Sequence, residues 1–503
     1  MKQYLIGIDN GGSTTKAAVF DLKGREIISA GRRIPLIEPC AGRVERDLNE
    51  VWKTNAELIK EVIQKAGIDP QEIAGLGLTG YGNGICLVDR DGNPVYNGIV
   101  SSDNRAADLC ERLVENGVQD QVYHLTYQEF WPAQTAMLMV WLKENCPDIL
   151  EKTDCILSIK DFIRMKLTGR RCYELTEMTC TGLMNIHTHE FDDVIFRALG
   201  LEDCRSKMPE YTGVTEISGT VTEEAAAQTG LAPGTPVAGS CYDVNACAMA
   251  SGILDDDTLC MIAGTWSINE VLSKELVDGA NSIAESYKPG YYIMEESSPT
   301  SADNFEWFIE KLMEPDRKGT DKSVFYGECN KMAEEIRPEE SNVVFVPYLF
   351  ASATNPDAKA AFFNLESYHG REHMVRAVYE GVAFSAMLHV NRLIESGRHF
   401  SRAKLSGGIT RSEVWAQIFC DMLQMPLEVS EAMEPGALGA AMCAAVAGGA
   451  YRDVDEAVEH MVHMKKTYYP DPEKGAVYEK KFETYKRALK ALDFFCGGEG
   501  TVC

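Results

Sequence analysis

The residues best suited to chemistry stand in three glycine-rich turns and beside one isolated acid. The first turn is Asp9-Asn10-Gly11-Gly12-Ser13-Thr14-Thr15-Lys16. An acid such as Asp9 at a strand end can orient a divalent cation through water. Gly11 and Gly12 let backbone approach a phosphate with no Cβ in the way, while Ser13, Thr14 and Lys16 add donors. The run is not a Walker A sequence, and taken alone it is equally well a polar hairpin turn. A second turn, Ala263-Gly264-Thr265-Trp266-Ser267, changes that balance, because two facing hairpins could grip one nucleotide's phosphate tail. The third, Leu405-Ser406-Gly407-Gly408-Ile409-Thr410-Arg411-Ser412, reads as a strand, a glycine pair and a helix start. Gly408 would admit a flat ring against bare backbone, and the helix start at Ser412 favours polar groups. Asp243, within Ser240-Cys241-Tyr242-Asp243-Val244-Asn245, is flanked by apolar and small residues. It is a candidate general base, although Asp is also a frequent helix N-cap.

Such turns need elements to hold them. Tyr4–Asp9, Thr15–Phe20 and Glu26–Ala30 read as three strands, and Asp47-Leu48-Asn49-Glu50 signals a helix that buries Val51, Trp52, Leu58, Ile59, Val62 and Ile63. Ile73–Thr79 is a buried strand, and Ile85–Val88 with Pro94–Tyr96 predicts a hairpin. Helices follow at Ala107–Glu115, Thr135–Glu144 and Lys160–Leu167. The opening then recurs: strands Thr258–Ala263 and Ser267–Leu272, helix Phe305–Met313, strand Ala403–Leu405 and helix Glu413–Met422. This repetition predicts an α/β chain of two related lobes around a central cleft, residues 1–246 and 247–503, moving by a hinge.

The chain has 503 residues and a formal charge of −27, so polyanions are poor partners and neither nucleic acid nor an anionic membrane face is expected. No apolar stretch reaches the ~20 residues needed to cross a bilayer, and Gly436–Gly449 reads as a packed helix. The 16 cysteines include no Cys-x-x-Cys pair. With no signal-peptide pattern, they read as buried free thiols of a cytoplasmic protein. His187 and His189 have a ligand-like spacing but no Cys partner, so a solvated loop is the expectation.

The motifs together resemble the FGGY carbohydrate kinases of the sugar kinase–Hsp70–actin superfamily, whose lobes are ribonuclease H-like. Lys160-Asp161-Phe162 with Leu167-Thr168-Gly169, His373–Gly381 and Ala437-Leu438-Gly439-Ala440-Ala441 are similar to further family segments. Asn364 stands where Gly is usual and Leu138 where Lys is expected. The resemblance implies an ATP-dependent kinase with Mg²⁺ as cofactor. Asp9 would orient the metal. Gly12, Ser13, Thr14 and Lys16 would surround the phosphates, met from the other lobe by Gly264 and Thr265. Gly408 and Ser412 would lie against the adenosine, and Asp243 would deprotonate the attacking hydroxyl.

The substrate pocket departs from the family pattern. Thr79-Gly80-Tyr81-Gly82-Asn83-Gly84 occupies the segment where D-xylulose kinases carry Gln-Met-His between glycines. Tyr81, Gly82 and Asn83 are therefore expected at the sugar. Asp103 and Arg105 could reach sugar hydroxyls or pair with each other. These segments look most like the L-xylulose (3-keto-L-gulonate) kinase branch, with a polyol kinase of erythritol or glycerol type as the alternative. A superfamily ATPase that binds a partner instead of a sugar would need a domain or cysteine cluster not evident here. The expected partners are a small sugar or polyol and ATP/ADP, with a homodimer left open.

Overall fold

Apolar residues alternate along the first strand so that Ile6 and Ile8 enter one core and Leu5 another, which commits the strand to burial on both faces. In the computed structural model this strand, β1 (Tyr4–Asn10), runs antiparallel to β2 (Thr15–Asp21), which continues to β3 (Glu26–Arg32). The structure describes residues 2–264, 266–277, 283–298, 300–313, 317, 319–350, 352 and 357–497. Helix α1 (Leu48–Ala66) starts where expected, with Asp47 accepting the Asn49 N–H at 2.8 Å. Strand β4 (Ile73–Gly80) lies parallel to β1. With β5 (Ile217–Thr220) and β6 (Pro236–Ala238) it completes a sheet of order β5-β6-β4-β1-β2-β3. Helices α2 (Thr135–Asn145), α3 (Ile159–Thr168), α4 (Leu175–Cys180) and α5 (Asp243–Ser251) belong to this half.

The second half repeats the plan. Its strands are β7 (Thr258–Ala263), β8 (Ser267–Ser273), β9 (Ile283–Lys288), β10 (Tyr291–Ser298), β11 (Arg402–Ser406), β12 (Leu427–Ser430) and β13 (Met464–Tyr468). They form a sheet of order β9-β10-β8-β7-β11-β12-β13. As β1 sits between antiparallel β2 and parallel β4, so β7 sits between antiparallel β8 and parallel β11. Helices α6 (Lys322–Glu335), α7 (Arg371–Glu395), α8 (Glu413–Leu423), α9 (Pro435–Ala447) and α10 (Pro472–Phe495) complete it.

Helix α9 and strand β9 both reach across to the first half. Helix α9, made almost wholly of small residues, lies flat on β1 and β4. A Cβ on Gly7 would stand 1.8 Å from the Ala437 carbonyl oxygen and one on Gly77 1.9 Å from that of Ala440, so only glycine permits this approach. On the other side, β9 straps onto the first half. Gln128 Nε2 donates to the Ala284 carbonyl at 2.7 Å, the Ser286 N–H to Thr179 Oγ1 at 3.1 Å, and Asn245 Nδ2 to the Ser286 carbonyl at 3.1 Å.

Some expectations are corrected. The return leg of the predicted hairpin meets the first through the Val88–Pro94 bridge and the Val95 N–H to the Leu87 carbonyl at 2.9 Å, while Cys86–Val88 also pairs on its other edge with Cys155–Leu157. The turn itself forms, with the Asp89 N–H donating to the Asn93 carbonyl. Predicted helix Phe305–Met313 is α-helical over Asp303–Phe308 and widens to a π-turn over Ile309–Met313. All described cysteines are free, and no described helix is long and apolar enough to cross a membrane.

Candidate active site

The first turn leaves Gly12 and Ser13 exposed at the cleft, with Thr14 half-buried behind them. Its shape is held from below by Arg46, a fully buried guanidinium that donates to the carbonyls of Gly11 at 3.3 Å and Gly12 at 2.5 Å. Those bonds leave the turn's N–H groups free to face an anion. Asp9, at the end of β1, has a buried Oδ1 without a protein partner. Burial pushes its carboxyl up to about 6; Lys16 pulls it down and Glu434 pushes it further up. Lys16 meets Glu434 at 2.7 Å, and Gly436 closes over Asp9 so tightly that a Cβ there would lie 2.6 Å from Oδ2.

Asp243 is the first residue of α5, half-buried at the floor of the cleft; Tyr242, not Asp243, occupies the cap position. Its Oδ1 accepts the Val244 N–H at 2.9 Å. The segment before it is fastened to β4: Ser240 Oγ accepts the Leu78 N–H at 2.7 Å and Thr79 Oγ1 donates to the Cys241 carbonyl at 2.9 Å. Burial, and then the negative charges of Asp9, Glu177 and Glu295, hold the Asp243 carboxyl well above the ordinary range. A base of raised affinity for protons, reachable from the cleft, suits abstraction from a hydroxyl.

The residues expected at the sugar are deployed unevenly. Tyr81 has a buried, unpartnered hydroxyl, and its ring lies 5.5 Å from the Arg46 guanidinium. Gly82 faces the Tyr242 ring: a Cβ would sit 1.8 Å from Cε2, so this glycine makes room for a side chain beside Asp243. Asn83 adopts φ 60°, and its Oδ1 accepts the Thr135 N–H at 3.1 Å at the start of α2. Asp103 and Arg105 are paired with each other at 2.8 Å. Arg105 also binds Glu45 at 2.8 Å, and Asp103 accepts the Val44 N–H at 2.6 Å. Beneath the Tyr81–Gly84 loop lies a buried cluster: Lys160 meets Glu177 at 2.5 Å, Arg164 meets Asp161 at 2.8 Å, and Glu177 accepts the Asn83 N–H at 3.1 Å.

Residues 4–250 match the model of the N-terminal domain of the FGGY family of carbohydrate kinases, and residues 259–448 match its C-terminal domain. The chain belongs to this family. It is 33% identical to the L-xylulose/3-keto-L-gulonate kinase of Escherichia coli K12, with 98% of each chain covered. It is 34% identical to a probable L-xylulose kinase of Pasteurella multocida, over 97% of this chain and 99% of that one. In fold it is similar to a ligand-bound xylulose kinase from Lactobacillus acidophilus, with a TM-score of 0.89, 22% identity, and 98% and 99% of the two chains covered. The two α/β lobes are thus those of the sugar kinase–Hsp70–actin fold, and the protein is an ATP-dependent carbohydrate kinase.

On the kinase's second lobe, Gly264 closes a turn through its N–H to the Trp266 carbonyl at 3.0 Å; Thr265 lies outside the described residues. Gly408 is exposed in a 3₁₀ turn, and Ser412 caps α8 by accepting the Trp415 N–H at 3.1 Å. His187 bonds the His124 carbonyl and His189 the Ser286 hydroxyl, and no group of three metal-ligating side chains exists among the described residues. Sequence reasoning missed Arg46, Glu177 and Glu434. Each looks locally like a solvated charge, and only the fold turns it inward.

Proposed function

We propose that this carbohydrate kinase transfers the γ-phosphoryl group of ATP to a hydroxyl of a ketopentose such as L-xylulose, with Asp243 as general base. The observation that carries the reading is Asp243 itself: a cleft-facing carboxylate in the first turn of α5, held high by burial and then by its acidic neighbours. It takes the proton of the attacking hydroxyl as the new O–P bond forms, and the bond from the γ-phosphorus to the bridging oxygen breaks to leave ADP. Gly12, Ser13, Thr14, Lys16, Gly264 and Thr265 hold the phosphates in line, and Gly408 and Ser412 face the adenosine. Tyr81, Gly82 and Asn83 with Asp103 and Arg105 shape the sugar end; the paired Asp103 and Arg105 act by fixing the wall. Alignment and exclusion of water account for most of what such a transfer demands.

The residues fit Mg²⁺. Asp9 offers an unpartnered buried oxygen in a locally negative site, which suits an ion that keeps its waters and travels with the nucleotide. When bound, the ion would neutralise developing phosphate charge. The acids around Asp243 also favour a neutral ketopentose over a carboxylated sugar, since Lys160 and Arg164 are already spent on internal acids. An ADP-release screen of ketopentoses, ketohexonates and tetritols tests this. L-Xylulose should give the highest kcat/KM, and a tetritol or ketohexonate turned over better would overturn it.

A further inference from the structure

Asn330 on α6 stands beside Ser412 with its side chain held by two hydroxyls. Its Oδ1 accepts two hydroxyl protons, from Ser412 at 2.6 Å and Tyr379 at 2.8 Å. Ser412 Oγ also accepts the Trp415 N–H, so its own proton is directed at Asn330. With the oxygen end of the amide turned to them, both hydroxyls find an acceptor in Asn330, which leaves the nitrogen end pointing away from the pair. The other end, Nδ2, makes no hydrogen bond to the described protein, and the residue is half-buried rather than sealed. The support beneath is rigid. Tyr379 stacks on Trp415 with centroids 4.2 Å apart and planes 7° from parallel, and Phe305 stands edge-on to both. Trp415 Nε1 is tied to the Tyr379 carbonyl at 2.9 Å.

We propose that Asn330 is a specificity residue for the nucleotide, its Nδ2 donating to an acceptor nitrogen of the adenine ring. The proposal rests on the placement of adenosine against Gly408 and Ser412. A donor pre-oriented by two hydroxyls and an aromatic stack has little freedom left to lose on binding.

The test compares Asn330→Asp with Asn330→Ala. Asp keeps an oxygen for Ser412 and Tyr379 and replaces the donor by an anionic acceptor, whose charge the tripolyphosphate measurement controls for, whereas Ala removes both functions. In both variants the KM for ATP should rise about five- to 150-fold, the range for one buried hydrogen-bond partner left unmade. The KM for the sugar should stay within about twofold, and inhibition by inorganic tripolyphosphate, which has no base, should not change. An Asp variant with wild-type ATP kinetics beside an Ala variant of lowered melting temperature would make Asn330 a structural prop and overturn the proposal. Gly408→Leu serves as the control. If it leaves the KM for ATP unchanged, the adenosine lies elsewhere and the underlying placement fails. If it raises that constant while both Asn330 variants do not, only the present proposal fails.

Discussion

Two groups of buried acids flank Asp243, and they are treated in opposite ways. On the first lobe Asp161, Glu174 and Glu177 gather around Lys160 and Arg164, every side chain fully buried and every acid in an ion pair. On the second lobe Glu270, Glu285 and Glu295 lie on the sheet face turned toward α5. Glu270 stands directly opposite Glu295 across β8 and β10, and no described Lys or Arg pairs with any of the three. Both oxygens of Glu270 and one each of Glu285 and Glu295 lack a partner. Burial pushes all three up, Glu295 to about 7 and the others well above the ordinary range. The paired group is therefore a charged scaffold, while the unpaired group is comfortable only when protonated. Asp243 feels Glu177 from one and Glu295 from the other.

The largest effect should come from removing the group between them. Asp243→Asn should keep the fold and lower kcat by about 10²–10⁴, the range for a lost general base. In the wild type, the acid limb of kcat/KM should lie well above the usual carboxylate range, because Asp243 must be ionised to act. Near-normal turnover in the Asn variant, or an acid limb near pH 4, would remove Asp243 from this role. Next comes Lys160→Met, which leaves Asp161, Glu174 and Glu177 buried without their shared cation. Breaking one side of such a pair costs about 3–5 kcal/mol, to be read from urea denaturation. A loss below about 1 kcal/mol would mean that Arg164 alone satisfies the cluster.

How much of this was legible depends on the distance over which partners meet. The strands that flank the glycine turns and the cap at Asp47 are local patterns, and they fold as their spacing predicts. The family motif around Lys160 drew attention to that residue, but its partner Glu177 sits 17 residues on, and only the packing of α3 against α4 joins them. Gly82 is marked for the sugar pocket by its segment alone; that it also seats the ring of Tyr242, a residue from the far end of the same lobe, depends on the fold. Cys86–Val88 does serve as a hairpin arm, with the Val95 N–H donating to the Leu87 carbonyl, but its other edge takes Cys155–Leu157, a partner too far along the chain for local spacing to announce. The glutamates of β8, β9 and β10 carry no local signal of burial, because it is the strap of β9 against the first lobe that covers them.

The unpaired group gives the third prediction, and its sign follows from the direction of the shift. Glu295 is held up to about 7 from an ordinary value of 4.5. A carboxyl raised on folding contributes stability that is complete below its unfolded value and lost as pH rises through its folded one. The window is thus about pH 4.5 to 7. Melting temperature should fall across it in the wild type, and Glu295→Gln, neutral at every pH, should flatten that fall. Parallel wild-type and variant curves would show that Glu295 does not titrate there.

The smallest effect is expected at the loop resting on the paired cluster, and it separates two roles for Asn83. The residue sits at φ 60°, which costs an L side chain something and glycine little, and its Oδ1 caps the Thr135 N–H at the start of α2. Asn83→Gly therefore relieves backbone strain while deleting a cap worth about 0.5–2 kcal/mol, for a net loss of about 1 kcal/mol or less. If the amide serves only this cap, the melting temperature should drop slightly and the KM values for sugar and ATP should both hold. If its free Nδ2 also donates to a sugar hydroxyl, the sugar constant alone should rise, by about fivefold or more. The backbone N–H that binds Glu177 survives the substitution, so the loop stays anchored to the Lys160 cluster in either case. A rise in the ATP constant as large as that for sugar would show instead that the loop had moved, and that the paired acids beneath it do not hold it in place.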